Sequence, residues 1–435
     1  MTVNFDKYIA VSPDPEMAAN RLAWMREDAS IRSKLDVLPQ EAGQDFVNLI
    51  TISRFLFHFL CRHPDAITLI GQSSDISDAS VEGVTDIEAL RLFKYRELLK
   101  ITWMDISCSC EYEAILKQLS LLADVSIRTT LRISTPPERI GIVRDNFCIF
   151  ALGKLGAEEL NYSSDIDLVF VNSNPEDTPH ELVEMQQILQ ESVRRLSHLL
   201  EEKGEDGFLY RVDLKLRPWG RSGPLMMSLD ETENYYEGSS DAWERFAWLR
   251  GRAVAGSIAL GSELKQRLHP FIYMRSLSTE DLNKFIKIKN DMAAARKRRG
   301  KWNVKVGEGG IRDLEFFLQM LQIVNASGHK ELQITNTLAV LDGLEKTGYV
   351  TARDKQEFIH SYLFLRRLEN RLQMIDERQT HELPEDKKQR LVIARSLCKP
   401  GCSDDEALDF FENQLFANRS IASGFFERIL PKDDG

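Results

Sequence analysis

The chain has 435 residues, of which 43% are hydrophobic, and it carries a formal net charge of −11 at pH 7. That length can bury a large core and predicts two or three domains, while the acidic balance argues against a general nucleic-acid-binding protein. The sequence lacks a run of about eighteen apolar residues, a basic or apolar leader, and the cysteine density of a disulfide framework. We therefore expect a cytoplasmic protein that binds neither nucleic acid nor membrane.

Residues 1–140 are predicted to form an N-terminal helical region. Residues 46–61 are apolar almost all round, which is typical of a single buried helix, and a second helix is predicted over 87–106. The paired prolines Pro136 and Pro137 then favour a domain boundary, because the residue before a proline is disfavoured in a helix. We expect a catalytic domain to follow.

A short apolar run at 147–152, rich in residues that favour β structure, predicts a buried strand. Gly153 and Gly156 interrupt the pattern, with Lys154 between them. Such a turn lets backbone N–H groups and one lysine approach a phosphate closely. It is not a Walker P-loop, because the Gly-Lys-Ser/Thr tail is missing. Gly153 and Lys154 are therefore predicted to bind a nucleotide or a phosphate.

The segment SSDIDLVF that begins at Ser163 predicts the next strand. Its alternation places Asp165 and Asp167 on one face and apolar residues on the other. At a rise of roughly 3.3 Å per residue, their side chains lie close enough to share metal ions. Ser163 and Ser164, directly before the pair, join the predicted phosphate-binding residues.

A predicted amphipathic crossover helix leads to a second alternating segment, FLYRVDLKLRP at 208–218. One face of this predicted strand is apolar, and the other carries Arg211, Asp213, Lys215 and Arg217. A single carboxylate among three cations suits a site for polyphosphate. Asp213 would complete a set of metal ligands, while the three cations would offset phosphate charge.

The sequence GEGG at 307–310 is predicted to open a helix in the C-terminal part of the chain. A glycine loop at a helix N-terminus offers free N–H groups to an anion. We therefore add Gly309, Gly310 and Arg312 to the predicted phosphate-binding residues. Glu315, further along the same helix, is interpreted as an exposed residue on an amphipathic face.

An Asp-x-Asp pair alone is weak evidence, since such pairs are usually solvated. Combined with Gly-x-x-Gly and a third aspartate on another strand, it resembles the layout of the polymerase-β-like nucleotidyltransferase superfamily. Four segments extend the resemblance: GKLGAEELNYSSDIDLVF, YRVDLKLRPWGRSGPL, DAWERFAWLRGRAVAG and GEGGIRDLEFFLQ. In that order they resemble the N-terminal, adenylyl-removing half of the bifunctional glutamine synthetase adenylyltransferase/adenylyl-removing enzymes.

The fold expected on these grounds is α+β and mainly α. A polymerase-β-like nucleotidyltransferase domain with a small mixed sheet is predicted over 141–275. It would be flanked by the N-terminal helical region at 1–140 and by a C-terminal helical bundle at 276–435.

The resemblance implies an in-line displacement at an α-phosphorus, with one or two Mg²⁺ ions held by Asp165, Asp167 and Asp213. It also implies a direction, in which inorganic phosphate attacks the AMP–tyrosine linkage of adenylylated glutamine synthetase and releases ADP. The expected partners are adenylylated glutamine synthetase, the PII signal-transduction protein, phosphate, ADP and ATP. Members of the family are longer and carry a second nucleotidyltransferase half, so we expect a fragment or a naturally split enzyme.

Two alternatives stay open. A metal site of this kind has the same geometry in both directions, so ATP-dependent adenylyl transfer to glutamine synthetase or another acceptor is the first. The second is a non-catalytic regulatory module that binds PII or the synthetase. The presence of all three aspartates argues against it, because a module without catalysis need not keep them.

Overall fold

The computed structural model describes residues 4–174, 179–275, 278–299, 303–398 and 401–429. Helices dominate this part of the chain and surround one mixed sheet of five strands, which confirms the predicted α+β, mainly α class. In the described ranges, each helix is too short or too polar to cross a membrane. The division into three domains at 140/141 and 275/276 stays a prediction.

The N-terminal helices are α1 (Asp6–Ile9), α2 (Pro15–Glu27), α3 (Ala29–Leu35), α4 (Gly43–Ile52), α5 (Arg54–Arg62), α6 (Ile87–Ile106), α7 (Tyr112–Ser134) and α8 (Ile140–Asn146). The prediction over 87–106 is confirmed by α6, whereas the prediction of one helix over 46–61 is wrong. The helix breaks at Ser53, whose backbone is extended and whose hydroxyl accepts a hydrogen bond from the amide of Leu56 at 3.1 Å. Ser53 thus caps α5, which serine does well because its side chain replaces a missing helical acceptor.

The sheet consists of β1 (Phe147–Ala151), β2 (Asp165–Asn172), β3 (Arg211–Asp213), β4 (Met226–Ser228) and β5 (Arg252–Gly256). The short helix α9 (Gly153–Gly156) follows β1, and the predicted crossover helix is α10 (Pro179–Glu201). The spatial order is β3-β2-β1-β5, with β1 antiparallel to β2 and β5. Strands β3 and β4 pair in parallel with the first and last parts of β2, so they share one edge of the sheet.

The sheet separates two hydrophobic cores. From β2, Ile166 and Leu168 enter the core formed with the N-terminal helices, whereas Val169 enters the core formed with the C-terminal helices. This alternation is the period of two expected of a strand that is covered on both faces. Because side chains two residues apart share a face, Asp165 and Asp167 lie on the same face as Val169.

Strand β3 is shorter than predicted, because it ends at Asp213. The Oδ1 atom of Asp213 accepts a hydrogen bond from the amide of Lys215 at 2.9 Å, which turns the chain. The guanidinium of Arg217 then donates to the carbonyl of Leu214 at 3.0 Å and holds that turn. The prediction of a continuous strand over 208–218 is therefore wrong, and Lys215 and Arg217 lie in the turn that follows β3.

The remaining helices are α11 (Leu229–Gly238), α12 (Ala242–Leu249), α13 (Ile258–Arg267), α14 (Thr279–Arg299), α15 (Ile311–Asn325), α16 (Thr337–Lys346), α17 (Ala352–Gln373), α18 (Lys387–Leu397) and α19 (Asp404–Glu427). Helices α15, α17 and α19 pack together through aromatic rings. The ring centroid of Phe425 lies 4.9 Å from that of Phe317 and 5.6 Å from that of Phe358. These helices occupy the region for which a helical bundle was predicted, and they cover the face of the sheet that carries Asp165 and Asp167.

Candidate active site

Two parallel strands bring three aspartates to one face of the sheet. In the pairing of β2 with β3, Asp165 lies opposite Arg211, and Asp167 lies opposite Asp213. Residues paired in this way point to the same face, and so do residues two apart on one strand. We call Asp165, Asp167 and Asp213 the three-aspartate site. Their catalytic role stays a prediction.

The glycine turn after β1 lies directly against this site. Gly153 has a φ of +57°, and a Cβ built on it would lie 2.4 Å from Oδ2 of Asp167. Glycine alone combines that left-handed backbone with so close an approach. The amide of Leu152 also donates to the carbonyl of Asp167 at 2.9 Å, so the turn and the strand are held together.

The pKa of Asp167 is raised well above the ordinary value of an aspartate. Burial, together with the negative charges of Asp213 and Asp165, raises its pKa to about 6, against the opposing charges of Lys305 and Lys215. Burial and like charges both disfavour the ionised form, and the two lysines offset them only in part. A perturbed carboxylate beside two others is characteristic of sites that bind cations or carry out chemistry.

The other two carboxylates are paired with cations. The Nε atom of Arg211 lies 2.6 Å from Oδ1 of Asp165, and the Nζ atom of Lys215 lies 2.5 Å from Oδ2 of Asp213. Both pairs are partly exposed, with 30% of the Asp165 side chain and 19% of the Asp213 side chain accessible. They can therefore be opened at little cost, since partly exposed ion pairs contribute about 0–1 kcal/mol.

The residues of the three-aspartate site fit a magnesium ion in their donor chemistry and in their backbone placement. Carboxylate oxygens are the ligands that Mg²⁺ takes in proteins, and the strand register puts all three carboxylates on one face. In the conformation described, two of them turn toward Arg211 and Lys215. Accordingly, within the ranges that the structure describes, three or more acidic, histidine or cysteine side chains are nowhere grouped as metal ligands.

Lys154 does not face the site as the sequence suggested. Its ammonium donates to both carboxylate oxygens of Glu369 on α17, at 2.8 and 3.0 Å. Burial lowers its pKa to about 7 against the pull of Glu369. In this conformation Lys154 joins the turn after β1 to α17, and its predicted contact with phosphate stays a prediction.

Ser163 and Arg217 hold loops in place. Ser163 is buried, its amide donates to Gln373 at 2.9 Å, and its hydroxyl donates to the carbonyl of Glu377 at 2.8 Å. Ser164 is half-buried between it and the strand. The guanidinium of Arg217 donates to backbone carbonyls of its own turn. Their predicted contact with phosphate remains a prediction.

The amides of the GEGG loop donate hydrogen bonds within the protein. The amide of Gly309 donates to Oδ2 of Asp313 at 2.8 Å, the amide of Gly310 to the carbonyl of Gly307 at 3.0 Å, and the amide of Arg312 to the carbonyl of Lys305 at 3.0 Å. The N–H groups that would bind a phosphate are thus already used within the protein. Arg312 itself is exposed. The predicted contact of Gly309, Gly310 and Arg312 with phosphate stays a prediction.

Behind the site lies a set of charged side chains with almost no solvent exposure, which we call the buried charge network. Its members are Lys154, Glu159, Arg250, Glu315, Arg366 and Glu369. Arg250 donates to Glu315 at 3.0 Å. Burial alone would raise the pKa of Glu315, but the positive charges of Arg250 and Lys154 outweigh it and lower that pKa to about 2. The prediction that Glu315 is exposed is wrong.

Sequence reasoning missed Lys305, which precedes the GEGG loop by two residues. It is half-buried, and its charge acts on Asp167 and on the nearby Lys154 and Glu315. Its place next to a glycine motif was the signal that could have pointed to it. Glu369 carried no such signal, since it lies 215 residues from its partner Lys154.

Two family models match the chain. One, described as glutamate-ammonia ligase adenylyltransferase, matches residues 44–267, and the other, described as GlnD PII-uridylyltransferase, matches residues 284–430. The first therefore includes the whole three-aspartate site, and the second includes the GEGG loop and the helices from α15 onward.

Several bacterial proteins named bifunctional glutamine synthetase adenylyltransferase/adenylyl-removing enzyme are similar to the chain. The one from Hahella chejuensis is 32% identical over 82% of this chain and 40% of its own length. The one from Nitrosococcus oceani is 34% identical over 78% and 36%, and the one from Pseudomonas syringae pv. tomato is 30% identical over 95% and 44%. The chain thus spans less than half the length of the curated relatives that it matches.

Proposed function

The chain belongs to the glutamate-ammonia ligase adenylyltransferase family, and from this premise we propose that it removes AMP from adenylylated glutamine synthetase by phosphorolysis. The observation that carries the proposal is the parallel register that sets Asp213 beside Asp167, with Asp165 two residues away. Three carboxylates on one sheet face are what phosphoryl transfer with divalent ions requires. The cytoplasmic location predicted from the sequence is part of the same proposal.

The reaction would proceed by in-line displacement. An oxygen of hydrogen phosphate forms a bond to the phosphorus of the AMP–tyrosine linkage, and the bond from that phosphorus to the tyrosine oxygen breaks. The proton of the hydrogen phosphate goes to the tyrosine oxygen, and the products are ADP and unmodified tyrosine. No separate general base is needed, because phosphate is already a nucleophile near pH 7.

The three-aspartate site would hold one or two Mg²⁺ ions, which when bound offset negative charge on the phosphoryl oxygens. Within the chain, Arg211 and Lys215 already lie beside the carboxylates and would turn to the phosphate groups as the acidic side chains take up the ion. Gly153 keeps the turn after β1 close enough to hold Asp167 in position.

The direction of transfer rests on the resemblance of the motifs to the adenylyl-removing half. Cations around the carboxylates suit a reaction in which a phosphate dianion must approach a phosphodiester anion. The second family match, to a family whose description names PII, supports a further part of the proposal, in which PII regulates the reaction.

The test is to incubate the purified chain with adenylylated glutamine synthetase, phosphate and Mg²⁺ and to follow ADP release. We expect release by the wild type and a loss of about 100-fold or more for Asp165→Asn, Asp167→Asn and Asp213→Asn, in line with the several kcal/mol that metal polarisation supplies. Asp145→Asn, at an exposed position on α8, is the matched control and should retain full activity.

The same assay separates the alternatives. AMP transfer from ATP to the synthetase without ADP release would favour the forward adenylyltransferase. If the wild type neither releases ADP nor transfers AMP, while it and Asp167→Asn bind the synthetase equally well, the chain is a regulatory module.

A further inference from the structure

The cations that surround the three-aspartate site are committed to partners. Arg211 and Lys215 each pair with an aspartate of the site. Lys154 is bound to Glu369, and Arg217 donates to carbonyl groups of its own turn. Each would have to give up a partner before it could bind a phosphate group.

Lys305 is different. Over the ranges that the structure describes, its ammonium takes part in no hydrogen bond or ion pair, although the residue is half-buried. The segment that carries it lies next to the site. The amide of the adjacent Val304 donates to the carbonyl of His381 at 2.9 Å, and Nδ1 of His381 lies 2.8 Å from Oε1 of Glu369, the partner of Lys154. An ammonium without a partner, close to the carboxylates of the site, is suited to an anionic ligand that arrives together with a divalent ion.

The backbone of Lys305 is held on both sides. Its amide donates to Oδ1 of Asn303 at 3.0 Å, and the neighbouring amide of Val304 donates to the carbonyl of His381 at 2.9 Å. Its own carbonyl accepts from the amide of Arg312 at 3.0 Å. The segment is therefore fixed at the start of α15, and the ammonium is presented from a rigid base.

The glycines of the GEGG loop make this arrangement possible. A Cβ on Gly310 would lie 2.6 Å from the carbonyl oxygen of Lys305, and a Cβ on Gly309 would lie 2.0 Å from the carbonyl oxygen of Arg419. Gly309 also has a φ of +66°. The loop must therefore consist of glycine in order to pack this closely, and what it holds in place is Lys305.

We propose that Lys305 is a catalytic residue of the phosphorolysis, whose ammonium binds the oxygens of the incoming inorganic phosphate beside Asp167. The proposal rests on the proposed function and assigns a residue for the second substrate of that reaction. Its chemical basis is that two anions must meet, so a cation free of other partners lowers their repulsion. The residue comes from the C-terminal part of the chain, outside the range matched by the adenylyltransferase family model.

The test uses the full chain and compares Lys305→Gln and Lys305→Met with Lys346→Gln, an exposed lysine at the end of α16. For both Lys305 variants we expect kcat/KM for phosphate to fall roughly 10- to 100-fold, the range for the loss of a hydrogen bond to a charged group. Most of the change should appear in KM for phosphate, with KM for the adenylylated synthetase unchanged. Lys305→Arg should recover part of the loss, and Lys346→Gln should match the wild type.

A second readout is the affinity for ADP in the presence of Mg²⁺, measured by calorimetry, because the β-phosphate of ADP is the former attacking phosphate. We expect the Lys305 variants to bind ADP at least about tenfold more weakly while AMP binding is unchanged. Lys305→Met keeps an aliphatic side chain in the half-buried position, so it provides the ADP affinity if Lys305→Gln does not fold.

Wild-type kcat/KM for phosphate together with wild-type ADP affinity in the Lys305 variants would overturn the assignment of Lys305 alone. If instead the wild type releases no ADP in the assay, the proposed function fails. The ADP titration then still decides whether Lys305 binds the terminal phosphate.

Discussion

The protein concentrates charge in two adjoining places that differ in exposure and in balance. In the buried charge network, the side chains of Arg366 and Glu369 are fully buried, and each cation contacts a carboxylate. In the three-aspartate site, the side chains of Arg211 and Lys215 are 33% and 55% exposed, and Asp167 faces two other carboxylates. In the first region the charged side chains are buried and paired. In the second they are partly exposed, and three carboxylates are contacted by two cations.

The difference indicates a division of labour between scaffold and site. The network joins the turn after β1 to α17, and the same face of α17 receives the amides of Tyr162 and Ser163, which lead into β2. These paired charges hold the elements in one arrangement, because the loss of one partner of a buried ion pair strongly destabilises the folded protein. The three-aspartate site can then keep carboxylates that repel each other, because the backbone beneath them is held from behind.

The largest effect is expected from breaking the network. Arg366→Ala removes the cation that contacts the buried carboxylate of Glu159, and one of the cations that contact Glu369, which keeps Lys154. We expect the free energy of unfolding, measured by urea denaturation, to fall by about 3–5 kcal/mol, the usual cost of leaving a buried charge unpaired.

The matched control for this variant is Arg353→Ala, on the same helix but 87% exposed, which should unfold as the wild type does. If Arg366→Ala were no less stable than the control, the network would not act as a scaffold, and the contrast between the two regions would lose its basis.

The next effect tests where scaffold and site touch. Gly153→Ala places a methyl group 2.4 Å from Oδ2 of Asp167 in a left-handed backbone. We expect a loss of about 1–3 kcal/mol in unfolding free energy from strain, together with a loss of ADP release because Asp167 must move. Gly328→Ala, in open space in the turn after α15, is the control and should leave both quantities unchanged.

Alternation along β2 and the aspartate of the second segment were sufficient to predict that three carboxylates share a sheet face. The motifs were also sufficient to predict the mainly helical fold. Periodicity could not pair Lys154 with Glu369 or Arg366 with Glu159, because the partners lie more than two hundred residues apart and meet only through tertiary packing. Local hydrogen bonds explain the errors in the predicted elements, namely the break at Ser53 and the end of β3 at Asp213.

A smaller effect should appear in the stability of the site itself. The folded-state pKa of Asp167 is about 6, compared with 3.8 for the ordinary group. The folded protein therefore holds this proton more tightly than the unfolded chain does. The stability that this proton contributes is present at pH 4 and is lost as the pH rises through 6. We expect Asp167→Asn, without divalent ions, to raise the unfolding free energy at pH 7.5 by about 1–2 kcal/mol, discounted for partial exposure.

The gain should shrink as the pH falls from 6 to 4, where the wild-type carboxyl is also neutral. Urea denaturation of both proteins at pH 7.5, 6, 5 and 4 gives the comparison. A variant that is less stable than the wild type at pH 7.5 would mean that the carboxylate of Asp167 is compensated, contrary to the contrast between the two regions.

The smallest effect is expected at the edge of the site, where charge pairing is exposed to solvent. Lys215→Ala removes the partner of Asp213, but the lysine side chain is 55% exposed. We expect the unfolding free energy to change by no more than about 0.5 kcal/mol, and the difference to disappear at high salt, because such pairs are screened. The same variant should release ADP more slowly at limiting phosphate, since Lys215 is proposed to meet the substrate. A loss of stability as large as that of Arg366→Ala would place Lys215 in the scaffold, and the boundary between the two regions would have to be drawn beyond β3.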